Sequence, residues 1–168
     1  ELLTKPSPLT REEAATVRAI LEWTRAQTKP FFVTYVPVYP HHPYKLPDPR
    51  DAKFPGDSEQ VRHRNCVHYV DRMLAELMAG LREQGVEDDT LFVLVGDHGE
   101  AFNKKGVFKA RGAKLEEDFV QAYALWYAPG ALRQPYVDER PSGHVDVVPT
   151  LLELLGIDRP VAHAGRSA

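Results

Sequence analysis

The spacing of hydrophobic residues changes along this chain, and each change predicts a different secondary structure. From Thr10 to about Gln27, apolar positions recur every three to four residues, which predicts an amphipathic helix. Thr10 and Glu13 have the spacing of a capping box at its start. The same period predicts a long second helix over 58–84 that ends at Gly85. Its buried stripe is predicted to consist of Val67, Val70, Leu74, Leu77 and Leu81.

Three apolar runs have the composition of β-strands. They cover residues 31–36, 90–96 and 122–128. The run within 90–96 is apolar on both faces and bounded by turn residues, which predicts a central parallel strand buried on both sides. A final helix is predicted over 145–155, ending at Gly156. This alternation predicts an α/β layered sheet, and three strands are few for such buried sequences, so we expect part of the fold to be missing.

A polar motif, Gly96-Asp97-His98-Gly99-Glu100, follows the predicted central strand directly. In open α/β sheets, ligands bind just outside the carboxyl ends of the strands. A carboxylate oxygen beside an imidazole nitrogen suits a divalent cation, so Asp97 and His98 are candidate metal ligands. The alternative is a strand-end turn in which Asp97 only caps the following segment.

Composition and charge narrow the class of protein. The 168 residues have 43% hydrophobic and 27% charged positions, which is typical of one globular domain or a large part of one. The formal net charge of −3 gives no reason to expect a nucleic acid or an anionic membrane surface as partner. No apolar run is long enough to span a bilayer, and one cysteine excludes an intrachain disulfide. The first residue is Glu1 rather than Met, so we expect a trimmed product or a fragment.

Several segments, in order, resemble the C-terminal half of a sulfatase-type hydrolase domain in the alkaline phosphatase superfamily. The resemblance implies an α/β fold, an alkaline-phosphatase-like layered sheet flanked by helices, present only in part. The segments that carry it are the strand and Pro-His-x-Pro loop at 31–44, the helix and turn at 69–90, the motif at 96–100, the helix at 144–157 and Gly165-Arg166-Ser167.

The resemblance implies a role for three of these residues. Asp97 and His98 match the second pair of metal ligands, for which the family favours Ca²⁺ and the imidazole allows Mn²⁺, Mg²⁺ or Zn²⁺. His41 matches the histidine of Pro-His-x-Pro and is the candidate catalytic residue that contacts sulfate or phosphate oxygens. An imidazole near an oxyanion helps to neutralise its charge. Taken alone, His41 would be interpreted as a loop histidine packed among prolines.

The basic loop after this motif departs from the family pattern. Where the family usually has His or Lys, Arg111 is the nearest match and is predicted to be catalytic and substrate-binding, with Lys109 and Lys114 as alternatives. A guanidinium can hold a sulfate through two hydrogen bonds, but a solvated basic loop is the competing interpretation. His144 is a further candidate for substrate binding, although its position is more often structural, with Asp146 capping the helix.

The family's nucleophile and its first pair of metal ligands have no match in this chain. Cys66 lacks the Pro and Arg of the nucleophile motif and is predicted to pack within its helix, with His63 and His68 at the surface. We therefore expect residues 1–168 to be the C-terminal portion of a sulfatase-like catalytic domain. The missing N-terminal portion of the same polypeptide would be its partner, and the chain alone would be inactive.

The resemblance leaves three functions open. The first is a metal-dependent hydrolase that cleaves sulfate esters or phosphate esters. The second is a phosphoglycerol or phosphoethanolamine transferase of the same superfamily, and the third is a degenerate, non-catalytic binding domain. The segment that precedes Glu1 would decide, because a Cys-x-Pro-x-Arg motif is typical of sulfatases and a Thr nucleophile of the transferases. The family also favours an extracytoplasmic location.

Overall fold

The computed structural model describes residues 13–102, 117–132, 134–157 and 164–168. These residues form a partial α/β fold of the predicted class, with a small sheet and accompanying helices. Within them, no helix has both the length and the apolar character that crossing a membrane requires. The elements are α1 (Glu13–Arg25), a 3-10 turn (Pro49–Asp51), α2 (Glu59–Glu83), β1 (Phe92–Val95), α3 (Glu117–Val120), β2 (Ala124–Tyr127) and α4 (His144–Leu154).

Helix α2 provides most of the core, and its predicted limits are confirmed. Ser58 caps its start by accepting a hydrogen bond from the Val61 N–H, and Gly85 follows its end with a φ of 73°. The buried stripe is largely as predicted, except that Val67 is exposed and its neighbour Cys66 is fully buried. The complete burial of Cys66 confirms that this cysteine is a packing residue, and the same burial raises the pKa of its thiol to about 11. The core cluster comprises Val17, Tyr69, Val70, Met73, Leu77 and Leu81.

The sheet differs from the prediction in direction and in burial. Strands β1 and β2 are antiparallel, with Phe92 opposite Tyr127 and Val95 opposite Ala124. Within the described residues β1 has only this neighbour, and its side chains are half-buried or exposed rather than covered on both faces. The prediction of a central parallel strand is therefore wrong for this structure. A continuous apolar run is typical of parallel strands that are buried on both faces, but the direction of a strand is fixed only by the partner with which it pairs.

Residues 31–36 were expected to form a strand, and the structure assigns them no regular element. Phe32 and Val36 are about three-quarters exposed, at 75% and 74%. The composition favours a strand, but a strand also needs a neighbour to complete its backbone hydrogen bonds. Near its end the segment is held instead by Glu13, whose carboxylate accepts hydrogen bonds from Tyr35 and Val38. The predicted capping box pairs Glu13 with Thr10, which lies outside the described residues, so it stays a prediction.

The last predicted helix is confirmed as α4, one residue earlier than expected. The Asp146 carboxylate accepts a hydrogen bond from the Gly143 N–H at 2.9 Å. Asp146 therefore caps the helix, as predicted from the sequence. Gly156 follows the end of the helix with a φ of 64°, a backbone conformation that favours glycine. The start of α4 is therefore well defined, and it lies beside the end of β1.

One buried amide anchors the loop between residues 45 and 57 to α2. Asn65 is 4% exposed, and its Oδ1 accepts hydrogen bonds from the N–H groups of Lys53 and Phe54 at 2.8 and 2.7 Å. Its Nδ2 donates to the Phe54 carbonyl at 2.9 Å. All three side-chain hydrogen bonds therefore serve to hold a loop that lacks an extended regular structure of its own.

We expect Asn65→Ala to lower the free energy of unfolding of the intact protein by about 2 kcal/mol, because two backbone N–H groups and one carbonyl lose their partner. Gln60→Ala provides the matched control, since Gln60 is an exposed amide on the same helix. Denaturant titration of both variants measures the difference. Equal stabilities would show that water replaces the Asn65 amide without cost.

Candidate functional site

The Asp97–His98 pair lies in a short loop that is fixed on both sides by glycine backbone contacts. The Gly96 N–H donates to the Tyr123 carbonyl at 3.0 Å, and the Gly99 N–H donates to the Phe119 carbonyl at 3.0 Å. Both acceptors lie in the segment that leads into β2. The two residues between the glycines are therefore presented outward from the end of β1 as a defined turn.

Within this turn, the ring orientation of His98 is set by its neighbours. His98 Nδ1 lies 2.7 Å from the Gly99 carbonyl, and because a carbonyl only accepts, Nδ1 must carry the proton. The lone pair of the neutral ring is then on Nε2, which lies 3.6 Å from Asp97 Oδ2. The Asp97 side chain is 90% exposed and the His98 side chain 45% exposed, so both can reach a ligand. A backbone carbonyl that binds the other ring nitrogen and so fixes the tautomer is a recurrent feature of metal-binding histidines.

The side chains of Asp97 and His98 could together supply two of the ligands of a divalent cation. Donor atoms 3.6 Å apart are compatible with one ion at about 2.1 Å from each of them. Among the residues that the structure describes, however, no group of three or more His, Cys, Asp or Glu side chains could hold a metal. Two protein ligands are too few for a tight site. Metal binding by Asp97 and His98 therefore remains a prediction, and it requires further ligands.

His144 lies at the same strand end as this pair. Its Nε2 donates to the Gly96 carbonyl at 2.7 Å, so the first residue of α4 is tied to the residue that precedes Asp97. The ring also lines a cleft of about 120 Å³, together with Tyr123 and Thr150. The contact with Gly96 is a positioning contact, and binding of substrate by His144 remains a prediction.

Residues 164–168 also contact α4 near its start. Asp146 accepts a hydrogen bond from the Arg166 N–H at 2.9 Å in addition to that from Gly143. These two backbone donors hold the pKa of the Asp146 carboxyl below its usual value. Thr150 Oγ1 accepts from the Ala168 N–H at 3.0 Å. The Gly-x-Ser segment of the sequence is thus packed along α4.

The loop that carries His41 is a succession of tight turns. The His41 N–H donates to the Val38 carbonyl and the Tyr44 N–H donates to the His41 carbonyl, both at 3.0 Å. The His42–Pro43 peptide bond is cis. His41 Nδ1 lies 2.6 Å from the His42 carbonyl and must donate to it, so His41, like His98, has Nε2 available for a ligand.

An aromatic cluster on α2 connects this loop with the segment that follows the Asp97–His98 turn. Tyr44 is buried, and its ring lies 5.2 Å from that of His63 and 6.1 Å from that of Phe102. The rings of His63 and Phe102 are 5.1 Å apart. The two predicted site loops therefore pack against the same face of one helix. No hydrogen bond or ring contact within the described ranges joins His41 itself to Asp97 or His98.

His63 and Phe102 were missed by the sequence reasoning. His63 was predicted at the surface, which is wrong, because it is half-buried and its burial lowers its pKa against the opposing effect of the Glu100 charge. The signal was present, since the true stripe of α2 runs through Cys66, Val70 and Met73 and extends back to His63. The predicted cationic residues Lys109 and Arg111, and their alternative Lys114, lie outside the described residues.

Comparison with known proteins identifies relatives for most of the chain. The sequence profile of the family described as Sulfatase matches residues 5–157. Lipoteichoic acid synthase 2 of Bacillus subtilis is 29% identical over 140 residues, and the lipoteichoic acid synthase of Staphylococcus saprophyticus is 29% identical over 150 residues. The multifunctional alkaline phosphatase superfamily protein PehA of Trinickia caryophylli is 32% identical over 114 residues.

These similarities cover much of this chain and little of each relative. They extend over 77%, 82% and 67% of the chain, respectively, but over only 21%, 22% and 22% of the three relatives. The chain therefore spans about a fifth of the length of the proteins it matches.

If Asp97 and His98 bind a cation, Asp97→Asn and His98→Ala should each weaken its binding to the intact protein at least about tenfold, or ~1.4 kcal/mol. Calorimetric titration with Mn²⁺ and with Ca²⁺ measures this change. Asp71→Asn, an exposed carboxylate on α2, is the control and should leave the affinity unchanged. Equal affinities in all variants would exclude the pair as ligands.

His144 has two candidate roles, which are positioning of the strand end through Gly96 and binding of substrate, and kinetics can distinguish them. Loss of positioning in His144→Ala should lower kcat several-fold with little change in KM, and His144→Gln, which retains an N–H donor, should recover part of the loss. Steady-state kinetics of the intact protein distinguish this from substrate binding. A rise in KM at constant kcat would support the substrate-binding role instead.

Proposed function

Because this chain belongs to the sulfatase family, we propose that it is the C-terminal portion of a metal-dependent enzyme that transfers a phosphoglycerol-type group. The observation that carries this proposal is the similarity to lipoteichoic acid synthases over 77% and 82% of the chain. Cleavage of sulfate esters was the first expectation from the sequence, and these relatives favour the transferase alternative. The proposal extends to the complete protein and assigns it an extracytoplasmic location.

In this proposal, Asp97 and His98 hold the cation of the site. A divalent cation bound there would polarise a phosphoryl oxygen and offset the charge that develops during displacement. The contribution of this chain is to fix the two ligands, through Gly96 and Gly99, and to place the lone pair of the neutral His98 ring on Nε2 through the Gly99 carbonyl. Calcium, manganese, magnesium and zinc all remain candidates.

His41 is proposed to contact the oxygens of the transferred group. Its Nδ1 is engaged by the His42 carbonyl, so Nε2 is the nitrogen that can meet a ligand. In the protonated ring, Nε2–H donates to a phosphoryl oxygen and offsets its negative charge. Arg111 and Lys109 are proposed to bind the same oxygens, and His144 is the remaining candidate for substrate contact.

The reaction is a displacement at phosphorus in two steps. The bond from phosphorus to the donor alcohol breaks as a nucleophile forms its own bond, and the departing oxygen takes up a proton. An acceptor hydroxyl then loses its proton and displaces the nucleophile. We assign the nucleophile to an N-terminal portion of the same polypeptide, because this chain has no residue in the family's nucleophile pattern.

Hydrolysis is the second candidate function. It is kept because PehA, which is 32% identical over 67% of the chain, is described as a multifunctional protein of the alkaline phosphatase superfamily rather than as a synthase. The same residues would serve, with water in place of the acceptor hydroxyl. A sulfate ester would be recognised by similar charge–charge interactions, so the residues proposed here do not separate the two functions, which differ in the acceptor.

The deciding experiment uses the intact protein with Mn²⁺ or Ca²⁺ and a lipid whose phosphoglycerol headgroup is radiolabelled. Transfer of label to a second glycerol-bearing acceptor would support the proposal. Release of label only as free glycerol phosphate would show a hydrolase, and turnover only of p-nitrophenyl sulfate would show a sulfatase. A cation-binding protein without any turnover would indicate a binding domain. His41→Ala should strongly lower whichever activity is found but leave a measurable residue, whereas Asp71→Asn should leave it unchanged.

The assignment of the nucleophile to an N-terminal portion is tested by assaying residues 1–168 alone under the same conditions. We expect no turnover, because the nucleophile is absent from the chain. Measurable turnover by this chain would contradict the assignment of the nucleophile to an N-terminal portion.

A further inference from the structure

Glu13 is a buried carboxylate whose partners are distant in sequence. It is 3% exposed and lies in the first turn of α1. Its Oε2 accepts a hydrogen bond from Tyr35 Oη at 2.6 Å, and its Oε1 accepts one from the Val38 N–H at 2.7 Å. A carboxylate removed from water is costly unless both oxygens are bound, and here one donor is supplied to each. A residue used only to fill the core would not need this arrangement.

Tyr35 is suited to act as a permanent donor to Glu13. Burial, followed by the hydrogen bond and the charge of Glu13, raises the pKa of the Tyr35 phenol. The phenol therefore stays protonated at physiological pH and donates to the carboxylate. Hydrogen bonds to an ionised acceptor are stronger than those between neutral groups, so this contact holds the segment firmly.

The hydrogen bonds of Glu13 continue directly to His41. Glu13 holds Val38 by its N–H, and the carbonyl of the same residue accepts the His41 N–H at 3.0 Å. A single residue therefore separates the buried carboxylate from the backbone of the candidate substrate-contact histidine. Between them, Tyr39 packs edge-on against Tyr69 of α2 with ring centroids 5.1 Å apart, which restricts the same segment from the other side.

We propose that Glu13 is a positioning residue for His41, which it places by holding Val38 at the start of the turn. This inference rests on the proposed function, in which His41 contacts the transferred group. It assigns a role in the site to helix α1, which otherwise contributes only core packing. Tyr35 acts with Glu13 as the second point of attachment.

The kinetic test uses the intact protein and the transfer assay. Glu13→Ala should lower turnover by about tenfold to a hundredfold, because displacement of a catalytic group by about 1 Å has effects of this size. Glu13→Gln keeps one acceptor oxygen and should recover part of the loss, and Tyr35→Phe should show a smaller loss. Glu22→Ala is the matched control, because Glu22 is exposed on the same helix. The cation affinity should be unchanged in all four variants.

A double-mutant cycle separates positioning from a general structural role. If Glu13 acts through His41, Glu13→Ala should cause no further loss of residual activity in a His41→Ala background. A Glu13 effect of undiminished size in that background would overturn the proposal. Equal activity of Glu13→Ala and the native protein would overturn it as well.

A measurement that does not depend on activity distinguishes a failure of the Glu13 positioning role from a failure of the proposed function. The ring signals of His41 and the exchange rate of its backbone N–H, followed by NMR in the intact protein, should change in Glu13→Ala and not in Glu22→Ala. If the native protein shows no turnover but these changes occur, the proposed function fails and the positioning role stands. If His41 is unaffected in Glu13→Ala, the positioning role fails, whatever the enzyme activity.

Discussion

The packing of Tyr44 and Phe102 around His63 is the interaction on which the candidate site depends. One ring comes from the His41 loop, one from the segment after the Asp97–His98 turn, and the third from α2. Loops have little order of their own, so two loops hold a common geometry only when both pack against a rigid element. Here that element is a 25-residue helix whose opposite end is fixed in the core with α1. The chemistry-bearing residues themselves are exposed, and their order comes from buried neighbours.

The elements that the sequence predicts well are those with a purely local signal. Helix α2 has a regular apolar stripe, a serine at its start and a glycine at its end, and each of these acts within a few residues. The turn at Asp97 and His98 is likewise marked by glycines on both sides. The features that were missed depend on contacts between distant segments. Strand direction in β1 is decided by its partner, and the hydrogen bonds of Glu13 join residues 22 and 25 positions away.

Backbone carbonyls determine which nitrogen each site histidine can offer. In both His41 and His98, Nδ1 is bound to the carbonyl of the next residue, and Nε2 is left for a ligand. In His144 the reverse holds, because Nε2 is bound to Gly96. The histidines of the site therefore occur as two different tautomers, and no sequence pattern distinguishes them. This difference gives a physical reason to separate ligand-binding histidines from a histidine that supports the strand end.

The apolar segment 31–36, which precedes the His41 loop, has a practical consequence. Its backbone is not part of any described ladder, and Phe32 and Val36 project into solvent. An apolar, unpaired segment of this kind is a template for β-pairing with another chain. Produced in isolation, residues 1–168 would be prone to self-association through this segment, and solubility would improve once a neighbouring strand covers it.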